Sequence, residues 1–217
     1  MFWRYLKNLY CFTLQRVSMP KLTVLKEKYP PGDFGVWVII YVELLTFGLF
    51  FVGYAFSRRE NIEMFNTSQL MLNQTSGFIN TFILITSSYF VAKGVQLMHT
   101  MTQESVEESN KKASVWLLLA MVCGIAFVLI KGAEFVHIFG EGITLSTNKF
   151  FMFYLLLTMF HFMHVVLGTI ILFNIYQRTR LFGYTPDDTR GFESGASYWH
   201  MVDLLWIVLF PLVYIIR

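Results

Sequence analysis

Charged residues are scarce in this sequence. Only 14% of its 217 residues are Asp, Glu, Lys or Arg, whereas an average soluble domain has about 25%. Hydrophobic residues make up 55%, Phe alone occurs 23 times, and the mean hydropathy is +0.53. So few charges cannot coat a soluble globule, and bulky apolar side chains suit a surface in contact with lipid. The composition therefore predicts an integral membrane protein.

Cysteine is also nearly absent, which excludes a disulfide scaffold. The two cysteines, Cys11 and Cys123, fall in a basic N-terminal segment and inside a predicted helix, so we do not expect them to pair. The sequence has no CxxC or CxxCH motif that would indicate zinc, an iron–sulfur cluster or covalent haem. The N-terminal segment also lacks the apolar core of a cleaved signal peptide. Its basic, aromatic character fits either a segment lying on an anionic membrane surface or a loose tail.

Five apolar stretches are long enough to cross a hydrocarbon core of about 30 Å. They run over roughly 34–56, 77–98, 113–139, 150–176 and 196–216. The connections between them are short and contain the turn and polar residues. We therefore predict an all-α integral membrane bundle of five transmembrane helices over 34–217, preceded by a basic cytoplasmic segment over 1–33.

The distribution of Lys and Arg predicts the orientation of the bundle. The N-terminal segment and the second and fourth connections contain eleven of these residues, and the opposite side contains four. Because Lys and Arg accumulate on the cytoplasmic side, the N-terminus is predicted to be cytoplasmic and the C-terminus to lie outside.

Ionisable residues inside the spans are informative because each costs about 2.5–3.5 kcal/mol to insert and normally faces protein or water. Glu43 lies near the middle of the first span, among apolar neighbours. It is either a carboxyl that handles protons or organises lipid, or a hydrogen-bonded acid that locks helices together. At 1.5 Å per residue, Glu43 and His164 lie at about 14 and 18 Å from the cytoplasmic ends of their spans, so Glu43 could meet a histidine.

Lys131, Glu134 and His137 recur at every third position of the third span and share one arc of the helix. We expect Lys131 and Glu134 to form a structural ion pair. Ala120, Gly124 and Gly132 form a row of small residues that permits close helix contact.

Two further pairs contain histidine. His161 and His164 are one turn apart in the fourth span, a spacing that could bind a metal. No Glu or Cys lies near them on that helix, which favours a packed, hydrogen-bonded pair.

His200 and Asp203 are likewise one turn apart at the start of the last span, where Asp203 could accept a hydrogen bond from His200 or Trp199. Pro211 is expected to kink this helix.

Five motifs occur in the order of a known family, the haem–copper oxidase subunit III (cytochrome c oxidase subunit 3-like) proteins. The first helix, with Glu43, resembles the first helix of the five-helix members, and INTFILITSSYFVAKG resembles the Asn-Thr…Ser-Ser helix. KGAEF resembles a Lys/Gln-x-x-Glu-Phe/Tyr segment, HFMHVVLG a His-x-x-His-Val-x-x-Gly helix, and GFESGASYWHMVDLLW the closing helix. Cytochrome c oxidase members usually have Thr-Gly-Phe-His-Gly where this chain has Thr-Met-Phe-His-Phe from Thr158 to Phe162. The segments MVDLLW and LFPLVY, in a short chain, resemble more closely the NorE-type branch associated with nitric oxide reductase.

This resemblance implies a non-redox subunit without a catalytic centre of its own. Such a subunit docks on the catalytic subunit of a haem–copper oxidase or nitric oxide reductase, which contains the haem and copper, and it binds phospholipid and sustains turnover in the bacterial inner membrane. No catalytic, metal-ligating or cofactor-binding residue is predicted, and nucleic acid is not an expected partner. The buried polar residues to which the resemblance draws attention are Glu43, Lys131, Glu134, His161, His164, Trp199, His200 and Asp203.

Two other hypotheses remain open from the residues. The histidines could serve as axial ligands of a membrane b-type cytochrome, although most of them lie at different depths. Glu43 could be the centre of a small proton-coupled transporter, although the chain lacks the internal repeat that such folds often contain.

The predicted orientation can be tested by labelling. A cysteine introduced at Asn66 should react with an impermeant thiol reagent added to intact cells, because the first connection is predicted to lie outside. The parent chain is the control, since its Cys11 is predicted to lie inside. Labelling of the new cysteine only after lysis would invert the topology.

Overall fold

A computed structural model of the protein describes residues 32–216. In that range the secondary structure is helical, without a β-strand. The helices are α1 (Phe34–Glu60), α2 (Ile62–Gln69), α3 (Gln74–His99), α4 (Val106–Gly140), α5 (Lys149–Arg180) and α6 (Arg190–Phe210), and α6 continues as a π-helical turn, Pro211–Ile215. All of them except α2 belong to segments that are long and apolar enough to cross a membrane. The predicted five-helix membrane fold is confirmed.

The orientation in the membrane stays a prediction, and most of the predicted basic segment, including Cys11, lies outside the described residues. We call the end of the bundle where α1 begins the inner end, and the end where α1 finishes the outer end, following the predicted orientation.

The helices extend beyond the predicted spans. α4 begins at Val106 rather than near position 113, and α5 continues to Arg180. Hydropathy marks only the part of a helix that crosses lipid, whereas these polar turns are stabilised by charges that match the helix dipole: Glu107 and Glu108 in the first turn of α4, and Arg178 in the last turn of α5.

The sequence pattern does not predict the short helix α2, which lies in the polar connection between the first and second spans. Its Phe65 is buried and meets the rings of Tyr54 and Phe150 edge-on, with centroids 5.3 and 5.5 Å apart. The buried Gln69 donates from Nε2 to the carbonyl of Val213 at 2.8 Å. Eight mostly polar residues give no periodic signal, and α2 is held by these tertiary contacts rather than by its propensity.

The four helices α3 to α6 form the bundle proper, and α1 is attached to one side of it. α3 packs against α4 and α6, and α5 packs against α4 and α6, whereas α1 contacts mainly α5 and α6. Among the large side chains of α1, only Ile40, Phe47 and Tyr54 are buried. The remainder of its apolar surface is available to lipid or to another protein.

The predicted row of small residues is right in part. Ala120 is buried, and Gly124 lies against Trp199, which is held on its other side by Gly168. Gly132, by contrast, faces open space. The small residues therefore make room for one indole between α4 and α5.

The predicted distortion at Pro211 takes the form of the π-helical turn. Proline has no backbone N–H, so the regular α-helical hydrogen bond is lost at this position, and the carbonyl of Pro211 accepts from the N–H of Ile216 at 2.9 Å, five residues on. The wider turn brings Tyr214, which is fully buried, into the centre of the bundle.

The indole between α4 and α5 gives a matched pair of glycine substitutions. A Cβ at Gly168 would lie 2.8 Å from Cε3 of the buried Trp199, so Gly168→Ala is expected to destabilise the protein by about 1–3 kcal/mol. Gly132→Ala meets no atom within 4 Å, and its higher helix propensity makes it neutral or stabilising by up to about 1 kcal/mol. Unfolding followed by circular dichroism in mixed micelles measures both, and equal effects would contradict this packing.

Candidate functional site

The outer half of the bundle contains a fully enclosed polar cluster around Lys131. This lysine is 0% exposed, and its Nζ donates to Oε1 of Glu134 at 2.9 Å, to Oη of Tyr154 at 3.1 Å and to Oη of Tyr214 at 2.5 Å. The predicted pairing of Lys131 with Glu134 is therefore confirmed. The ammonium has three hydrogens and all three have acceptors, which is the condition for burying such a charge.

The carboxylate of Glu134 is satisfied in the same cluster. Its Oε1 accepts from the hydroxyls of Tyr154 and Tyr214, each at 2.6 Å, and its Oε2 accepts from Ser76 at 3.4 Å. These five residues come from α3, α4, α5 and the π-helical turn. The cluster is electrically neutral and joins four segments, so its geometry is that of a structural lock.

Tyr154 and Tyr214 were missed at the sequence level. Tyrosine is common in this chain, which contains 11, and neither position has a spacing that links it to Lys131. One signal could have indicated such partners: a buried lysine needs three hydrogen-bond acceptors, and the carboxylate of Glu134 alone does not provide them.

His137 does not join this cluster. Its side chain is 72% exposed, and its Nδ1 lies 3.4 Å from Oε1 of Glu141. Each step of three residues turns the helix by about 300°, so His137 lies about 120° around the helix from Lys131. The helix face shared by Lys131, Glu134 and His137 is wide enough for Lys131 to be buried while His137 is exposed.

The inner half contains a pair formed by Glu43 of α1 and His164 of α5. Oε2 of Glu43 lies 3.1 Å from Nε2 of His164, without the alignment of a good hydrogen bond, and Nδ1 of His164 lies 2.7 Å from the carbonyl of Phe160. The contact anticipated from depth alone is confirmed. Because a carbonyl only accepts, Nδ1 is the protonated ring nitrogen, and Nε2 is the nitrogen that faces the carboxyl of Glu43.

This pair is less enclosed than the outer cluster. The side chain of Glu43 is 23% exposed, and its helix, α1, packs mainly against α5 and α6. The hydroxyl of Tyr198 lies within electrostatic range of Glu43 and has no hydrogen-bond partner among the described residues. Oε2 of Glu43 and the hydroxyl of Tyr198 therefore lie inside the bundle without a hydrogen-bond partner among the described residues.

His161 does not form a hydrogen bond with His164, so that part of the prediction was wrong. It is fully buried, its ring stacks on Trp206 with centroids 5.1 Å apart, and Phe127 meets it edge-on. Neither ring nitrogen has a hydrogen-bond partner in the described part of the chain. His164 points to α1 and His161 to α4 and α6, because residues three apart differ by about 60° in direction.

His200 and Asp203 are close, as predicted, but the stronger contact of His200 is with another residue. Nδ1 of His200 lies 2.6 Å from Oγ of Ser88 and 3.6 Å from Oδ2 of Asp203. Trp199 does not donate to Asp203, since its Nε1 has no partner among residues 32–216. In those residues, no three His, Cys, Asp or Glu side chains converge to form a set of metal ligands.

The Lys131 cluster gives a test with a control on the same helix. Lys131→Met leaves Glu134 buried without its cation and is expected to destabilise the protein by about 3–5 kcal/mol. Lys131→Met combined with Glu134→Gln should cost less than the sum of the single changes, because no charge is then left unpaired.

The control is Lys112→Met. Lys112 pairs with Glu108 at 2.6 Å, but their side chains are 60% and 68% exposed, so solvent screens the pair and its loss should leave the stability almost unchanged. Unfolding free energies in detergent measure all variants. A Lys131→Met variant as stable as Lys112→Met would refute the lock.

Comparison with known proteins shows where this arrangement belongs. The family model "Cytochrome c oxidase subunit III" matches residues 32–217. A protein named probable cytochrome c oxidase subunit 3, from Rickettsia conorii, is 32% identical over 200 residues, which cover 83% of this chain and 66% of the relative. Its counterpart in Rickettsia prowazekii is 39% identical over 145 residues, covering 64% of this chain and 47% of the relative.

A shorter relative matches over more of its own length. Quinol oxidase subunit 3 of Bacillus subtilis is 27% identical over 187 residues, which cover 83% of this chain and 85% of that protein. The chain thus spans about half to two thirds of the length of the Rickettsia relatives. The match of the family model over nearly the whole described bundle shows that the chain belongs to the cytochrome c oxidase subunit III family.

Proposed function

We propose that this chain is a non-redox accessory subunit of a respiratory haem–copper oxidase in the bacterial inner membrane. It docks on the catalytic subunit, which contains the haem and copper, and it stabilises that subunit and binds phospholipid. The relatives named as subunits of cytochrome c and quinol oxidases support this assignment. The difference between its two buried polar sites, the Lys131 cluster and the Glu43–His164 pair, supports the assignment further.

The observation that carries the proposal is the contrast between the two polar sites. The Lys131 cluster is complete, with each charge neutralised inside the bundle. The Glu43–His164 pair is open on one side, in a helix that contacts only part of the bundle. A carboxyl that is 23% exposed within a transmembrane helix is best accommodated by a lipid or a partner helix that completes its surroundings.

The histidine arrangement does not fit a b-type haem. Two axial ligands must face each other from different helices at one depth, with room for the macrocycle between them. His161 and His164 lie on the same helix, and the space beside His161 is filled by Trp206. His200 is engaged by Ser88.

A proton-coupled transporter would need a route along which the proton of Glu43 can leave to both sides. Towards the outer side, the path from His164 meets the aromatic packing of Phe47, Phe127 and Trp206 around His161. This packing favours a local contact role for Glu43 over transport.

The second candidate partner is a nitric oxide reductase, because MVDLLW and LFPLVY in α6 and the π-helical turn resemble the NorE-type branch. Phe162, where cytochrome c oxidase members usually have glycine, packs edge-on against Phe135 of α4 with centroids 5.6 Å apart, so this departure fills a contact inside the bundle.

The partner can be identified by purification of the chain in mild detergent, with absorption spectra and mass identification of what accompanies it. Recovery of a haem–copper oxidase catalytic subunit supports the proposal, and recovery of a nitric oxide reductase supports the second candidate. A Soret band that belongs to the isolated chain and is removed by His161→Ala would overturn the non-redox assignment.

Two substitutions of Glu43 separate a contact role from a protonic role. Glu43→Gln keeps the shape and hydrogen-bonding capacity but cannot ionise, and Glu43→Ala removes both. If Glu43 holds a contact, Gln should leave the initial turnover of the complex and its inactivation half-life almost unchanged. Ala should shorten that half-life or release the subunit, as the loss of about 1–3 kcal/mol from an unsatisfied buried group predicts.

The matched control is Glu141→Gln, which changes an exposed carboxylate paired with His137 and should alter neither quantity. An equal and immediate loss of initial rate in Glu43→Gln and Glu43→Ala would refute the contact role.

A further inference from the structure

A groove of about 330 Å³ opens at the outer end of the bundle, where α1, α2 and the π-helical turn meet. We call it the outer groove. It is lined by Tyr54, Ala55, Arg58, Arg59, Ile62, Leu212 and Ile216. Apart from the two guanidinium groups and the Tyr54 hydroxyl, the lining is aliphatic or aromatic. The groove therefore combines a cationic rim with an apolar wall.

Arg58 is held in place by the chain itself. Its guanidinium donates to the backbone carbonyl of Ile216, to Oδ1 of Asn66 at 3.3 Å and to the side chain of Tyr54. All three partners are neutral, so they fix the direction of the guanidinium without neutralising it. An arginine that is oriented in this way loses little side-chain entropy when an anion arrives.

Arg59 follows Arg58 and has neither a hydrogen-bond nor an ion-pair partner in the described chain. Of the nearby carboxylates, Glu60 pairs with Lys149 at 3.9 Å, and Glu63 is not part of the groove lining. Among residues 32–216, the rim of the outer groove thus has two positive charges and no carboxylate that neutralises them. This differs from the Lys131 cluster, where the cation is compensated within the bundle.

The position of the groove fits the level of lipid headgroups. Arg58 and Arg59 form the last turn of α1, where a transmembrane helix leaves the hydrocarbon region, and Ala55 and Leu212 lie on the side facing the membrane core. Arginine binds phosphate with two parallel N–H donors, and the apolar wall provides a surface for a hydrocarbon chain.

We propose that the outer groove is a binding site for an anionic phospholipid of the outer leaflet, with its phosphate at Arg58 and Arg59 and one acyl chain on Ala55 and Leu212. The site is separate from Glu43, which lies fifteen residues earlier on α1 and hence about 22 Å away along the helix. The inference rests on the phospholipid binding of the proposed function and, for the choice of leaflet, on the predicted orientation, but it does not depend on the identity of the catalytic partner.

The test compares lipid retention by the purified full chain and by Arg59→Gln. Each protein is incubated in mild detergent with phosphatidylglycerol or phosphatidylcholine, and bound lipid is counted by native mass spectrometry. Lys149→Gln is the matched control, because it removes one positive charge at the same end of the bundle but outside the groove. Arg59 is exposed, so the variant is expected to fold, and its melting temperature verifies this.

The parent chain should retain phosphatidylglycerol over phosphatidylcholine by about fivefold or more, and Arg59→Gln should reduce that preference by about fivefold. Lys149→Gln should leave the preference unchanged, and millimolar inorganic phosphate should not displace the lipid. Equal retention by the parent chain and Arg59→Gln would overturn the proposal, as would equal retention of the two lipids. Displacement by inorganic phosphate would assign the rim to a soluble anion and would equally refute a phospholipid site.

Discussion

The structure of this bundle depends on the burial of a single ammonium group. Lys131 lies in the outer half of the bundle and is fully buried, and an uncompensated charge there would oppose association of the helices. Its three hydrogen bonds to Glu134, Tyr154 and Tyr214 join α4, α5 and the π-helical turn, and Ser76 brings α3 to the same carboxylate. In lipid, where apolar packing alone does not distinguish one helix face from another, such a network specifies which faces meet.

The irregular end of α6 follows from the same requirement. A regular α-helix would carry the residues after Pro211 round by about 100° each, whereas the π-helical turn widens the helix and turns Tyr214 inwards. The same turn presents the carbonyl of Val213 to Gln69 and that of Ile216 to Arg58. α2 is thereby attached to the end of the chain, and the outer groove forms between them. A proline that looks like a simple helix breaker thus organises the outer end of the molecule.

The sequence predicted those features in which hydropathy or charge leaves few alternatives. Five spans, the pairing of Lys131 with Glu134, and a contact between Glu43 and a histidine all follow from the cost of polar groups in lipid. The sequence could not predict α2, because its stability comes from Phe65 and Gln69 meeting partners far along the chain. It also could not show that His161 and His164 point in different directions, or that Trp199 packs between two glycines instead of donating to Asp203. These outcomes depend on how α4, α5 and α6 are rotated relative to one another, which spacing along one helix does not determine.

The distance along the chain between Glu43 and its partner has a consequence for biosynthesis. α1 is made first, and His164 follows 121 residues later, so at translation rates of about 5–20 residues per second the carboxyl waits roughly 6–24 seconds for its imidazole. During that interval the nascent α1 has neither α5 nor α6 to cover it. The carboxyl must then enter the bilayer in its neutral form or remain beside the insertion machinery until the later helices emerge. A helix at the side of the finished bundle therefore places a demand on the membrane-insertion apparatus before the helices that cover it have been made.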